Sequence, residues 1–394
     1  MFILAYYAAV PALPTPAVAP PPDPEALAVS AQLRARIDDE IRAAGGWIGF
    51  DRFMDLALHA PGLGYYSAGS RKFGRGGDFV TAPELSPLFG RTLARQLADL
   101  LNDGAPDIVE LGAGRGTLAA TLLTELQKLG CLPERYRILE VSADLRDRQQ
   151  QWLHQHAPGL AARVHWLDSL PERLAGVVIG NEVLDAMPVH RMRREQGRWL
   201  ELGVAIESGR LAWSGRPAAP ALAAAMPAAL PDDYETELNA AAPALLGELG
   251  RRLERGTILL FDYGFPGHEY FHPQRDRGTL MCHYRHTAHG DPFRWPGLQD
   301  ITAHVDFSAL ARADHGLDLL GYTSQAQFLI NCGITEVLAE VPAADAARYA
   351  PLAAAAQQLL SPAEMGELFK VIALGRGISA PLRGFMRGDR SQRL

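Results

Sequence analysis

Cysteine is scarce: three in 394 residues, at Cys131, Cys282 and Cys332, widely spaced and with no CxxC pair. That spacing offers neither a disulfide framework nor a structural zinc site, and it suits a reducing compartment, read here as cytoplasmic. Positive charge is not in surplus either. The balance is 38 Lys and Arg against 45 Asp and Glu, a net charge of −7, with a sequence pI near 6.0. No global attraction to phosphate backbones results, and no nucleic-acid partner is expected. Past the first ten residues no uninterrupted apolar run reaches the roughly 18 residues of a membrane span. The apolar start MFILAYYAAV lacks the basic flank of a signal peptide and runs into PALPTPAVAPPPDPEAL. Residues 1–23 therefore read as a disordered, proline-rich arm.

What the chain does have is enough apolar side chain for a sizeable core, 48% hydrophobic against 21% charged residues. At roughly 150 residues per domain its length allows one elaborated domain or two. Residues 24–104 read as an N-terminal helical and cofactor-covering segment. It opens with a helix from Pro24 that spaces Leu27, Leu33, Ile37 and Ile41 helically and closes at Gly45-Gly46, followed by a second helix over about 49–58. The stretch GLGYYSAGSRKFGRGGDFVTAPELSPLFG fits no hydrophobic period and reads as an ordered functional loop. A helix over about 87–101 follows it.

From Asp107 short apolar strands alternate with helices: DIVEL, YRILEV, RVHWL and LAGVVIGNEVLD, in the order βαβαββ. That order predicts a parallel sheet of the α/β class with ligands at the carboxyl ends of its strands. Residues 105–188 form the first part of this core. Residues 189–255 alternate polar and apolar side chains around two turn signals, Gln196-Gly197 and Ser208-Gly209, and predict an antiparallel meander with a helical insertion. Residues 256–394 resume the core with GTILLFDYG, and the irregular, His- and Tyr-rich segment 265–306 is read as a substrate-side loop.

The first βα turn is Glu110-Leu111-Gly112-Ala113-Gly114-Arg115-Gly116, with Thr117 where a dinucleotide fingerprint has its third glycine. Glycines let the backbone approach a ligand closely, while an acid at the strand end attracts a cation and repels a pyrophosphate. S-adenosylmethionine, with an ammonium and a sulfonium but no phosphate, fits that combination. Glu140 ends the second strand, where an acid accepts from ribose hydroxyls. Asp168, after the third strand, accepts from an adenine amino group or serves as a turn cap. At the end of the fourth strand Asn181 and Glu182 lie over the cofactor's reactive end, with Asp185 three residues further. Two carboxylates so spaced can hold a guanidinium in charge-assisted hydrogen bonds. The alternative is a capped helix start with solvated acids.

VELGAGRGTL, NEVLDAMPVHR and LLFDYG, with GRGGDFVTAPELSPLFG upstream and GLQDITAHVDFSAL downstream, resemble the MidA-like methyltransferase family over about residues 30–375. That family includes a mitochondrial complex I assembly factor that methylates an arginine. The resemblance implies a class I S-adenosylmethionine-dependent methyltransferase fold: a Rossmann-like, seven-stranded, mostly parallel sheet with an added helical and antiparallel subdomain. It also implies symmetric protein arginine methylation, a link to respiratory-complex assembly and a protein substrate. Carried onto this chain, the GDFVTAPE motif places Gly77, Asp78, Thr81, Pro83 and Glu84 in a loop over the cofactor, unless Pro83-Glu84 merely starts the next helix. The motif QDITAHVDF contributes Gln299, Asp300, Thr302, His304 and Asp306, with His304 as a base, a hydrogen-bonding group to substrate, or a structural histidine. Asp262 faces the substrate or caps the fifth strand.

Other readings compete. The acceptor of the methyl group is a small molecule rather than a protein, or the chain is an assembly factor that holds the cofactor without turnover. A nucleic-acid methyltransferase is disfavoured by the net charge and by NEVLD standing where an NPPY-type motif would be, and an NAD-dependent dehydrogenase by Thr117. His268, His272, His283, His286 and His289 are too irregularly spaced, and too poorly framed by carboxylates, to predict a metal. Oligomeric state stays open, a homodimer included.

Overall fold

The longer strands of the central sheet carry their apolar residues in runs, without the alternation of a one-faced sheet. The computed structural model describes residues 20–67, 81–378 and 381–394, and the sheet is built from β1 (Asp107–Leu111), β2 (Arg135–Leu139), β3 (Val164–Leu167), β4 (Leu174–Asn181), β5 (Leu253–Phe265), β6 (Asp318–Ser324) and β7 (Phe369–Arg376). Their order across the sheet is β6-β7-β5-β4-β1-β2-β3. Only β7 runs antiparallel to its neighbours, while β1 pairs parallel with both β2 and β4. The predicted class I fold with seven strands is therefore the observed one.

Layering follows from the sequence of each strand. Val177, Ile179, Leu259, Phe261, Val371 and Ala373 face one layer, where Leu88, Phe89, Leu93, Leu118 and Leu122 meet them from the helices Pro87–Asn102 and Thr117–Lys128. Val178, Ile258, Leu260, Ile372 and Leu374 face the other, against Leu246 and Leu249 of the helix Ala241–Arg252. Burial on both faces is what makes these strands read as continuous apolar runs, each large side chain contributing about 1.5–3 kcal/mol. At the amino-terminal ends of β4 and β5 the backbones close up. A Cβ at Gly176 (φ +145°) would sit 2.2 Å from the Asp107 carbonyl oxygen, and one at Gly256 (φ +140°) 1.8 Å from that of Gly176.

Because the chain goes from β1 outward to β2 and β3 and then returns to the other side of β1 with β4, a crevice opens at the carboxyl ends of β1 and β4. The chain also builds a second, antiparallel sheet. His190–Glu195 pairs with Arg198–Glu207 through Gln196 (φ 49°) and Gly197 (φ 73°), and Arg198–Glu207 with Arg210–Pro217 through Ser208 (φ 49°) and Gly209 (φ 77°). Both are two-residue turns with left-handed dihedrals, whose twist matches that of the strands. Ile48–Gly49 and Glu235–Leu238 complete this sheet. The helices Pro24–Ala43 and Phe50–His59 bury Leu33, Ile37, Ile41, Phe53 and Met54 with Val204 and Leu211. Leu27, expected on that stripe, is 41% exposed. A three-stranded ribbon, Thr287–His289, Met281–Tyr284 and Asp300–Thr302, joins the same cluster through Cys282 and Ile301.

Two boundaries and two helices differ from the sequence reading. The fourth strand stops at Asn181 and no helix begins after it, so Glu182 and Asp185 lie on a loop and the capped-helix alternative falls. The helical insertion expected within residues 189–255 ends at Arg252, where β5 takes over. Helices Ile334–Ala339 and Ala346–Leu360 were not anticipated. Among the described residues no helix is long and apolar enough to cross a membrane.

Candidate active site

The crevice is a cavity of about 840 Å³ at the carboxyl ends of β1, β2, β4 and β5. One half is built by the glycine turn. Gly112 (φ 63°), Gly114 (φ 53°) and Gly116 (φ 85°) all take left-handed dihedrals, which glycine adopts without strain, and a Cβ at Gly112 would strike Val183 Cγ2 at 2.9 Å. Glu110 lies beneath the turn, buried, accepting from the Tyr136 hydroxyl at 2.6 Å. Burial pushes its carboxyl up to about 7, against that hydrogen bond. Glu140, half-buried at the end of β2, accepts from the Ser142 N–H at 2.9 Å and from Gln149 Nε2 at 3.2 Å; burial raises its carboxyl too. Thr81, Pro83 and Glu84 border the same half. Glu84 Oε2 is buried without a hydrogen-bond partner. Gly77 and Asp78 lie outside the described residues.

Two sequence candidates do not reach the cavity. Asp168 is 90% exposed and paired with Arg146 at 2.6 Å. Arg146 donates to the carbonyl oxygens of Glu140 and Leu167, stapling the ends of β2 and β3, and holds Asp168 on its solvent side. Gly116 caps the helix Thr117–Lys128 and faces Gln149. Its role is to start the helix.

The other half centres on the loop after β4. Glu182 has φ 54°, a left-handed conformation that costs a non-glycine residue about 1–3 kcal/mol and gathers at functional sites. The loop is held by Asp262, whose Oδ2 accepts the N–H groups of Val183, Leu184 and Asp185 at 3.1, 2.8 and 3.3 Å while Oδ1 accepts that of Tyr263 at 3.0 Å. Asp262 is thus the cap of the two alternatives. Its carboxyl is raised by burial and by the Asp185 and Glu182 charges. Glu182 accepts from Asn181 Nδ2 at 3.0 Å. Burial, with Asp185 and Asp300 nearby, pushes its carboxyl up to about 8, opposed by the Asn181 amide and the Ala82 N–H. Burial pushes Asp185 up to about 6 against donation from the Tyr263 hydroxyl and backbone N–H groups, and its Oδ1 has no hydrogen-bond partner. The Ala303 N–H donates to the Asp185 carbonyl at 2.9 Å, tying in the segment that carries Asp300, Thr302 and His304.

His304 lines the cavity with its ring 5.2 Å from Tyr263 and 5.3 Å from Phe265. Burial, with Arg275 and Lys370 near, holds its imidazole down near 3. The ring is therefore neutral at physiological pH, a hydrogen-bonding wall with little affinity for a proton. Gln299 is turned inward to the carbonyls of Asp291 and Pro292, and Asp306 caps the helix Phe307–Arg312. None of the five loop histidines belongs to a metal-ligating cluster among the described residues. Missing from the sequence candidates are Tyr66, whose hydroxyl donates to Asp300, His59, stacked on Tyr66 at 5.6 Å, and Gln149. Tyr66 lies within the irregular Gly- and Tyr-rich stretch and His59 just before it, the one local signal that marked them.

The polar groups fit a cationic, phosphate-free nucleoside. Glu84, Glu110 and Glu140 surround one half of the cavity, and among the described residues the one arginine at its wall, Arg115, stacks over Trp152 at 4.5 Å. A sheet of this order with such a site defines a nucleoside-dependent group-transfer enzyme. Residues 88–323 match the S-adenosyl-L-methionine-dependent methyltransferase family, and the chain belongs to it. Its cofactor is S-adenosyl-L-methionine.

The mitochondrial protein arginine methyltransferase NDUFAF7 of Danio rerio is 30% identical over 84% of this chain and 84% of its own, and the Drosophila melanogaster homologue is 29% identical over 93% and 91%. A Burkholderia thailandensis protein crystallised with S-adenosyl-homocysteine superposes with a TM-score of 0.93 at 55% identity, covering 95% of this chain and all of that one. These relatives overturn the cytoplasmic expectation, since the NDUFAF7 proteins are mitochondrial. Few cysteines and no apolar span, on which that expectation rested, suit an organellar protein equally well.

Proposed function

We propose that the protein transfers a methyl group to the guanidinium of an arginine in a protein substrate. The observation that carries this is the pair Glu182 and Asp185: two carboxyls at one end of the cavity, Asp185 buried and Glu182 half-buried, with no lysine or arginine partner among the described residues. Buried acids without a cation are costly unless protonated or filled by one. A guanidinium supplies that cation with paired N–H donors.

When bound, S-adenosyl-L-methionine supplies an electrophilic methyl on its sulfonium. The described part of residues 24–104 provides the cover of the cofactor half, through Thr81, Pro83 and Glu84, and loop 265–306 the substrate side. Glu84, Glu110, Glu140 and Asn181 bind and orient the cofactor; Thr81 and Pro83 shape its cover. Glu182 and Asp185 hold the guanidinium so that one nitrogen lone pair faces the methyl, and positioning of this kind contributes most of the rate. The nitrogen sheds one proton, and the Glu182 carboxyl is placed to take it. Asp300, Thr302 and His304 wall the acceptor side and keep water out. Kinship with named protein arginine methyltransferases supports the same reading.

The test is incubation of the purified protein with methyl-labelled S-adenosyl-L-methionine and an extract from cells lacking it, followed by mass spectrometry of arginine-containing peptides. Proteins of respiratory complexes are the first place to look, and the product's methylation pattern decides its symmetry. Label on protein arginine that disappears with Glu182→Gln is the expected result. Label confined to small molecules, or cofactor binding without label, would replace this reading with a small-molecule methyltransferase or a non-catalytic assembly factor.

A further inference from the structure

We propose that Gln149 is a positioning residue that locks the two cofactor-binding corners of the cavity, the glycine turn after β1 and the acid at the end of β2, into one geometry. Gln149 sits in the helix Ala143–His156 and is fully buried. Its side-chain amide has all its groups engaged. Nε2 donates to the Gly114 carbonyl at 2.9 Å and to Glu140 Oε2 at 3.2 Å, and Oε1 accepts from Trp166 Nε1 at 2.7 Å.

The orientation of that amide is fixed by chemistry. An indole N–H is a donor only, so the oxygen of the amide must face Trp166, and both N–H groups must then face Gly114 and Glu140. Trp166, in β3, sets which way Gln149 points. Gln149 in turn occupies one oxygen of Glu140 while the Ser142 N–H occupies the other, which leaves the remaining lone pairs of that carboxylate for ribose hydroxyls. It also pins the carbonyl of Gly114 at the middle of the left-handed turn. A glutamate at 149 would set a second negative charge against Glu140, and an apolar residue would leave the Gly114 carbonyl without its donor. Of the common side chains of this length, only the amide satisfies all three partners.

The experiment is calorimetric titration of S-adenosyl-homocysteine into wild type, Gln149→Met, Trp166→Phe, Glu140→Ala and the Gln149→Met/Glu140→Ala double variant, with circular dichroism of each. Loss of hydrogen bonds to a charged and a backbone acceptor predicts affinity weakened about tenfold to hundredfold for Gln149→Met and about threefold to tenfold for Trp166→Phe. In the Glu140→Ala background the Gln149→Met loss shrinks by threefold or more on the same scale, because part of it runs through Glu140. A merely structural glutamine would give losses that multiply independently. Folded Gln149→Met and Trp166→Phe proteins that bind within twofold of wild type, or losses that multiply without coupling, overturn the proposal; should Gln149→Met not fold, Trp166→Phe alone and with Glu140→Ala decides on the same readings. The result is independent of the identity of the methyl acceptor.

Discussion

The Tyr66 hydroxyl donates to Asp300 Oδ1 at 2.9 Å, joining residues 234 apart in sequence. Tyr66 follows the helix Phe50–His59 and Asp300 begins the ribbon strand Asp300–Thr302, so this bond closes the N-terminal segment onto the acceptor half of the cavity. Burial and the Asp300 charge raise the Tyr66 hydroxyl well above its ordinary value, so it stays a donor. Tyr66→Phe removes one donor from a buried carboxylate. Transfer to an arginine peptide should fall about tenfold in kcat/KM, while S-adenosyl-homocysteine binding measured by calorimetry stays within about twofold.

Glu182→Gln keeps the shape of the side chain and removes its charge. Methyl transfer should drop at least about a hundredfold, the scale on which a preorganised charge acts in a water-excluded site, with cofactor affinity retained. Single-turnover assays beside calorimetry check this. A variant that turns over normally would exclude Glu182 from the reaction.

Stability of the ligand-free protein should decline with rising pH. Glu110, Glu182 and Asp185 have carboxyls raised to about 7, 8 and 6, above their unfolded values, so the folded state binds more protons than the unfolded chain between about pH 4 and pH 8. Their contribution is full below the unfolded values and is lost as pH climbs through the folded ones. Thermal melts from about pH 6.5 to pH 8, above the range in which the neutral His304 ring works the other way, should show a falling Tm, and Glu182→Gln, which cannot ionise, should fall less steeply. An equal slope in both proteins would contradict the raised Glu182.

Gly256→Ala tests the close approach of β4 and β5. The new methyl would overlap the Gly176 carbonyl at 1.8 Å in a backbone conformation of φ +140°, which only strand separation relieves. A loss of about 2–4 kcal/mol in urea unfolding is expected. Gly130→Ala, where a Cβ meets nothing within 4 Å, should cost less despite its positive φ of 73°.

Sequence carried the central sheet well because strands buried on both faces read as apolar runs with little alternation, as in DIVEL and LAGVVIGN. The helix Ala346–Leu360 escaped because an alanine-rich segment has little contrast between its faces; only Ala355, Ala356 and Leu359 are buried. Of the candidate site, Glu110, Gly112, Gly114, Glu140, Asn181, Glu182 and Asp185 border the cavity because the carboxyl ends of parallel strands converge. The same rule misplaced Asp168, since it does not say which side of a strand end a neighbouring arginine will claim. Gln149 was illegible for a different reason, and Tyr66 was marked only by the irregular stretch it lies in. Their partners lie on other elements, and no local pattern announces a hydrogen bond made across the fold.

The single antiparallel strand β7 inserts between β5 and β6, and Phe369 at its start borders the cavity and packs edge-on against Tyr263 at 5.3 Å. On the ribosome, then, the cavity's glycine turn, its acids and its tyrosines all emerge ahead of a wall they need. A nascent chain halted before residue 369 would expose the seam between β5 and β6 to chaperones and proteases, and synthesis beyond that point supplies the strand that fills it.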